Sequence, residues 1–388
     1  MKKGLLVGLA ALSTISLASC GNKGSGLKVG VVCIGDETAT YDKNFMNALD
    51  KVKKDKGIKV FYKYNVSEDG DASYQAAVEL AEAGCDIVIS NSFGFEANTI
   101  KAAKEYPDVQ FFHCTGVKAH TEKLANFANG FAEIYEGRYL AGIAAGMKLK
   151  EMGETKLGYV GAYPYAEVKS GYTAFYLGAK SVLPEVTMQV QFTNNWGNTN
   201  LETAAAENLY NKGAKLISQH ADTYGAPSVC DKYGIPNVAY NVSTESKYPN
   251  TYLCYSAINW APCFTHLVEC VEKGEHMEWD FSGSLADGAV VVGKAGKCAA
   301  PGTQEAMDAA AEKIKNGELK VFDCANFTVN GEHLTSRLAD VDDAGDWAPE
   351  TEAIVTEGGK TFYAESKFRS APYFDVNIDG ISEVTTSK

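Results

Sequence analysis

Past its first twenty residues the chain has no apolar run long enough to cross a bilayer, which takes roughly 20 consecutive apolar residues. Cations are scarce: 36 Lys and Arg stand against 49 Asp and Glu, a formal net charge of −13. That balance argues against nucleic acid or anionic lipid as a partner, because both select basic patches. No GxGxxG or P-loop offers backbone amides to a phosphate, no Ser stands in a nucleophile elbow, and no Cys has an evident His partner. The six histidines are scattered and the ten cysteines show no CxxC spacing, so neither a metal nor any other cofactor is expected. Catalysis has little support.

The N-terminus is a different matter. Lys2 and Lys3 precede an almost uncharged apolar stretch over 4–17, and Leu17-Ala18-Ser19-Cys20 closes it with small residues before a cysteine. That order is the layout of a secretory signal, and the small pair ahead of Cys resembles a bacterial lipobox. Residues 1–19 are therefore expected to be a signal peptide, with Cys20 lipidated on the outer face of a membrane. Residues 21–26 would form a flexible Gly- and Ser-rich tether. Nine other cysteines remain, so at least one has no intramolecular partner. Cys33, Cys85 and Cys114 sit in apolar runs and read as small buried hydrophobes.

The length allows two domains, and 45% hydrophobic with 22% charged residues is the composition of a globular protein. Strand-like runs at 28–35, 58–64, 86–90 and 109–114 alternate with helical patterns, such as Phe45, Met46, Leu49 and Val52 at helical spacing. A second series follows, with strands at 156–161, 187–192, 214–218 and 236–240. The pattern predicts an α/β protein of two doubly wound Rossmann-like lobes joined by a hinge. The N-terminal lobe would take 27–130 with returning segments at about 260–300; 131–259 would form the C-terminal lobe and hinge. The small residues of 139–146 suit a closely packed helix beside that hinge. A C-terminal extension over 300–388 would be partly hairpin, with a 321–334 hairpin turning at Asn330-Gly331. Its Tyr- and Phe-rich end shows no periodicity that would place it.

Open parallel sheets bind ligands beyond the carboxyl ends of their strands. The residues there are Asp36, Tyr41, Phe45 and Asn47 after the first strand, and Asn91, Ser92 and Phe93 after the third. In the second half they are Trp196, then His220 and Asp222, then Asn241, and finally Asn259 and Trp260. Aromatic rings with amides and carboxylates suit a flat ligand held by stacking and read along its polar edge. Phe45 and Phe93 each have an alternative place in the core, and His220 reads as a structural histidine.

Tyr41-Asp42-Lys43-Asn44-Phe45, Tyr106-Pro107-Asp108-Val109-Gln110-Phe111, Glu136-Gly137-Arg138-Tyr139-Leu140-Ala141-Gly142 and Ser218-Gln219-His220-Ala221-Asp222-Thr223 together resemble the basic membrane protein family. Its members are lipoproteins that serve as solute-binding components of nucleoside-type ABC importers. The resemblance implies a type I periplasmic binding fold that closes on a purine nucleoside or related compound. It also implies a monomer that meets an ABC permease. Phe45 and Trp196 look like the opposed stacking rings, and Asp36 and Asn47 like the groups that contact the base. There are departures: Met46 separates Phe45 from Asn47, and Thr115, Asn241 and Asn259 stand where charged ribose contacts are expected. Those losses, with Trp260 gained, favour a free purine-type base over a nucleoside. A sensory receptor feeding a membrane kinase and an exported nucleoside-processing enzyme are the alternatives.

Overall fold

A computed structural model describes residues 25–341 and 348–384. Cys20 and the signal segment lie outside the described residues. The first lobe is built from β1 (Lys28–Val32), α1 (Thr40–Lys56), β2 (Lys59–Lys63), α2 (Ala72–Glu82), β3 (Ile87–Ser90), α3 (Glu96–Glu105), β4 (Gln110–Cys114), the short α4 (Ala119–Glu122) and β5 (Phe127–Ala132). The second contains α5 (Ile134–Met152), β6 (Lys156–Gly161), α6 (Ala166–Val182), β7 (Thr187–Phe192), α7 (Thr199–Asn211), β8 (Leu216–Gln219), α8 (Gly225–Tyr233), β9 (Asn237–Tyr240) and β10 (Tyr252–Ile258). The chain returns to the first lobe for α9 (Ala261–Lys273) and β11 (Asp280–Gly283), then crosses again to β12 (Val290–Val292) in the second sheet. The returning segment thus ends at β11, short of the 300 expected from sequence. Three crossings, between β5 and α5, β10 and α9, and β11 and β12, form the hinge.

Among the described residues the sheet orders are β11-β5-β4-β3-β1-β2 and, before the tail joins, β12-β10-β9-β8-β6-β7. Every pair is parallel except β10 with β12. Each sheet reverses its winding direction once, between β1 and β3 and between β6 and β8, and such switch points open a crevice at the strand ends. The two crevices face each other.

Helix α5 and helix α6 pack through glycines. A Cβ at Gly142 would lie 2.0 Å from the Phe175 carbonyl oxygen, and one at Gly178 would lie 1.9 Å from that of Tyr139. The small residues of 139–146 therefore serve contact between helices of one lobe, with backbone meeting backbone.

The chain beyond β12 covers the second lobe. It comprises α10 (Thr303–Lys315), β13 (Leu338–Ala339), β14 (Thr351–Glu352), β15 (Ile354–Glu357), β16 (Lys360–Tyr363) and β17 (Ile381–Glu383). Phe322, Phe327, Tyr363, Tyr373 and Phe374 are buried in one core with Tyr139, Leu140 and Phe175. The expected 321–334 hairpin reduces to a single bridge between Val329 and Glu332 around Asn330 and Gly331, both with left-handed backbone. Phe322 and Phe327 are drawn into the core instead, where burial outweighs a short ladder. β17 adds a parallel strand beside β7. The tail also reaches the first lobe, where Ser370 donates from its N–H and hydroxyl to Asp280 Oδ1 (3.1 and 2.8 Å).

Candidate functional site

The facing strand ends border a narrow slot. The first lobe supplies Ile34 after β1, Tyr41 from the first turn of α1, Asn91, Ser92 and Phe93 after β3, and Thr115 after β4. The second supplies Glu167 from the first turn of α6, Trp196 after β7, His220 and Asp222 after β8, and Tyr240 at the end of β9. An open vestibule of about 1820 Å³ lies outside it.

The lobes touch across this slot. Thr40 donates to the Asp222 carbonyl from its N–H (2.9 Å) and its hydroxyl (3.1 Å). The Phe93 ring meets Tyr165 at 5.5 Å. Tyr163, Tyr165 and Trp196 form an aromatic wall on the second lobe, with Tyr163 5.1 Å from Trp196 and Tyr165 6.0 Å from it. Opposite, the Tyr41 hydroxyl donates to the Asn91 carbonyl (2.5 Å), while the Asn91 side chain accepts from Ile34 N–H (3.0 Å) and donates to Asp42 Oδ1 (2.8 Å). That network fixes where the rings stand.

Polar groups close the deep end. Asp222, 7% exposed, accepts from the Asn241 amide at 3.1 Å. His220 lies between Glu167 (3.1 Å from Nε2) and Arg138 (3.4 Å from Nδ1). Arg138 is fully buried, donates to the Gln219 carbonyl at 3.0 Å, and lies 3.4 Å from the Tyr240 ring centre. Thr115 and Asn241 both hold left-handed backbone at strand ends, with φ of 68° and 65°. For a β-branched threonine this is strain, of the kind that gathers at ligand sites.

Of the residues singled out from sequence, Tyr41, Phe93, Trp196 and Asp222 line the slot. Asn241 stands behind Asp222. Asp36 lines the outer vestibule, where it accepts from the Thr38 hydroxyl (2.6 Å) and N–H (2.9 Å). The Thr38 bonds hold its carboxyl below the usual range. Three residues are elsewhere. Phe45 and Trp260 are buried and stack on each other at 4.6 Å, so they are core. Asn47 is exposed on the outer face of α1. The cause is helical phase: Phe45, Leu49 and Val52 share the buried stripe of α1, and Asn47 lies off it. The ring that α1 gives to the slot is Tyr41, one turn earlier. Glu167 and Tyr240 went unnoticed in the sequence, although Tyr240 ends β9 and Glu167 opens the helix that follows β6. His220 is buried, as a structural histidine would be, yet it also lines the slot.

Burial raises several carboxyls here. Asp42 is pushed up to about 6 and Glu202, beneath the Asp222 loop, to about 7, while Glu136 at the hinge and Glu365 in the tail are pushed to about 8, each mainly by loss of water. Such a group keeps its proton in the folded state after the unfolded chain has lost it. Its contribution is fully present below the unfolded value near 4.5 and fades as pH rises through the folded one. Each group costs at most roughly 1.4 kcal/mol per pH unit over that window. The ligand-free protein should melt about 5 °C or more lower at pH 8 than at pH 5.5. A melting temperature that rises over this range would contradict the assignment.

Comparison with known proteins agrees with the geometry. The family model of PnrA-like ABC transporter substrate-binding proteins, Bmp, matches residues 29–277. A purine-binding protein of Brucella abortus is 30% identical over 329 residues, covering 81% of this chain and 88% of its own. A putative ABC transporter glucose-binding protein of Haloferax volcanii is 29% identical, covering 63% of this chain and 61% of its own. Among solved structures, a solute-binding protein of an ABC transporter system from Aeropyrum pernix superposes with a TM-score of 0.66 at 15% identity, covering 76% of this chain and 93% of that one. The fold is that of the type I, two-lobed periplasmic solute-binding proteins. The chain belongs to the Bmp family of ABC transporter substrate-binding proteins.

Proposed function

We propose that the protein is a membrane-anchored, extracytoplasmic receptor that closes on a purine-type base and presents it to an ABC permease. The observation that carries this reading is the slot itself, which aromatic rings from both lobes line together with Asp222 and Glu167. Rings stack on a planar ligand, and amide and carboxylate groups read its edge. The purine-binding relative from Brucella abortus supports the ligand class. A base fits better than a nucleoside, because the slot between the lobes is narrow and the lobes already touch across it. Two of the three residues at the altered ribose positions already have protein partners. Asn241 is held by Asp222, and Asn259 donates to the Gly288 carbonyl (2.8 Å) and accepts from Ala261 N–H (3.3 Å).

Titration calorimetry with adenine, hypoxanthine, guanosine, uridine and D-glucose tests the reading. Adenine or hypoxanthine should bind more tightly than either nucleoside, with no heat from glucose. Tighter binding of the nucleosides would overturn the base in favour of a nucleoside, and glucose binding would overturn both.

Cys20 is the proposed lipid attachment site, with residues 21–26 as the tether. Among the described residues no helix is long and apolar enough to cross a membrane. Cys20→Ala should release the protein from membranes and impair uptake while leaving affinity unchanged. Continued membrane retention would contradict the anchor.

A further inference from the structure

We propose that the slot accepts an uncharged heterocycle that donates N–H hydrogen bonds to the Glu167 carboxylate, and that it turns anionic ring compounds away. The inference rests on the slot being the ligand site and deepens that reading by naming the charge and edge chemistry of the ligand.

A guanidinium has donors only. With Arg138 Nη2 3.4 Å from His220 Nδ1, that ring nitrogen must accept, and the imidazole proton therefore sits on Nε2. Nε2 faces Glu167 Oε1 at 3.1 Å and donates to it. Burial lowers the pKa of His220, which keeps the ring at one proton. The network thus assigns Glu167 as an acceptor. Glu167 lines the slot, and its second oxygen has no hydrogen-bond partner among the described residues. Asp222 is different: Oδ1 takes the Asn241 amide, Oδ2 has no partner among the described residues, and burial pushes the carboxyl well above the usual range, which favours its neutral, protonated form.

Among the described residues none lining the slot is Lys or Arg, and Arg138, which meets His220, is fully buried. An anionic ligand would lose its water opposite the Glu167 carboxylate, with no Lys or Arg in the slot lining to meet it. A neutral ring edge carrying N–H groups would instead satisfy the open oxygen of Glu167. Desolvation therefore selects by charge before shape is read.

The test measures affinities of the wild-type protein for adenine against urate, and for cytosine against orotate, at neutral pH. Adenine is also measured on Glu167→Gln, which keeps the side chain's shape but gives one acceptor position to a donor. Adenine should bind while urate binds at least 100-fold more weakly. Glu167→Gln should weaken adenine about tenfold or more with an unchanged melting temperature. Urate or orotate binding as tightly as its uncharged counterpart would overturn the inference. So would an unchanged adenine affinity in Glu167→Gln. Binding of cytosine but of no purine would leave the charge rule standing and remove the purine reading alone. Failure of all four rings to bind would remove both. The wild-type comparison holds even if the variant folds poorly.

Discussion

Gly178→Ala should cost about 3 kcal/mol or more of stability, seen by circular dichroism as a large fall in melting temperature. The added Cβ would lie 1.9 Å from the Tyr139 carbonyl oxygen and 3.1 Å from Gly142 Cα. Neither neighbour is a side chain that could rotate away, so relief requires α5 and α6 to move apart. Their separation would open the core shared by Tyr139, Leu140, Phe175 and the aromatic tail. Gly197→Ala is the control: its Cβ would meet only a Thr223 methyl at 3.9 Å, and a change within about 0.5 kcal/mol is expected. If the two variants melted alike, the close packing of α5 on α6 would be wrong.

The largest effect on binding is expected from Trp196→Ala, with a loss of about 100-fold in adenine affinity by calorimetry. Trp196 is only partly buried, borders both the slot and the vestibule, and stands against Tyr163 and Tyr165. Removing it takes a stacking face from the ligand and also loosens the wall that orients the other two rings. Its backbone carbonyl accepts from Asp222 N–H at 2.9 Å, a bond the substitution leaves in place. Stability should therefore change little. Trp196→Phe should recover most of the affinity, since a smaller ring still offers a face. An alanine variant that bound adenine normally would remove Trp196 from the site.

Particular residues show what could be seen in the sequence. The strands of both lobes were legible because parallel strands buried on both faces read as apolar runs, as in Ile87–Ser90. Position after a strand then gave Tyr41, Phe93, Trp196 and Asp222. That rule says which end of a sheet a residue occupies, but not which way its side chain turns. Phe45 and Trp260 were misplaced for this reason, and the helical spacing of Phe45 with Leu49 and Val52 already held the correction. Glu167 was harder to find, since its role depends on His220 and on Arg138 from a different helix. The tail was illegible because Phe322, Tyr363 and Phe374 are buried by contact with α5 and α6, without a repeating element to give them a period.

The placement of β17 bears on how the protein comes into being. It pairs with β7, so Ile381, Ser382 and Glu383 lie beside Met188, Gln189 and Val190 from far earlier in the chain. Contacts between such distant segments close slowly, because the long intervening loop must first be confined. While the polypeptide is still emerging, the flank of the second sheet along β7 stays bare, and an unpaired strand invites other chains to pair with it. A polypeptide halted before Ile381 could contain the whole slot and still be prone to aggregate. Readiness to recognise a solute and fitness to remain dispersed would thus be acquired at different moments of synthesis.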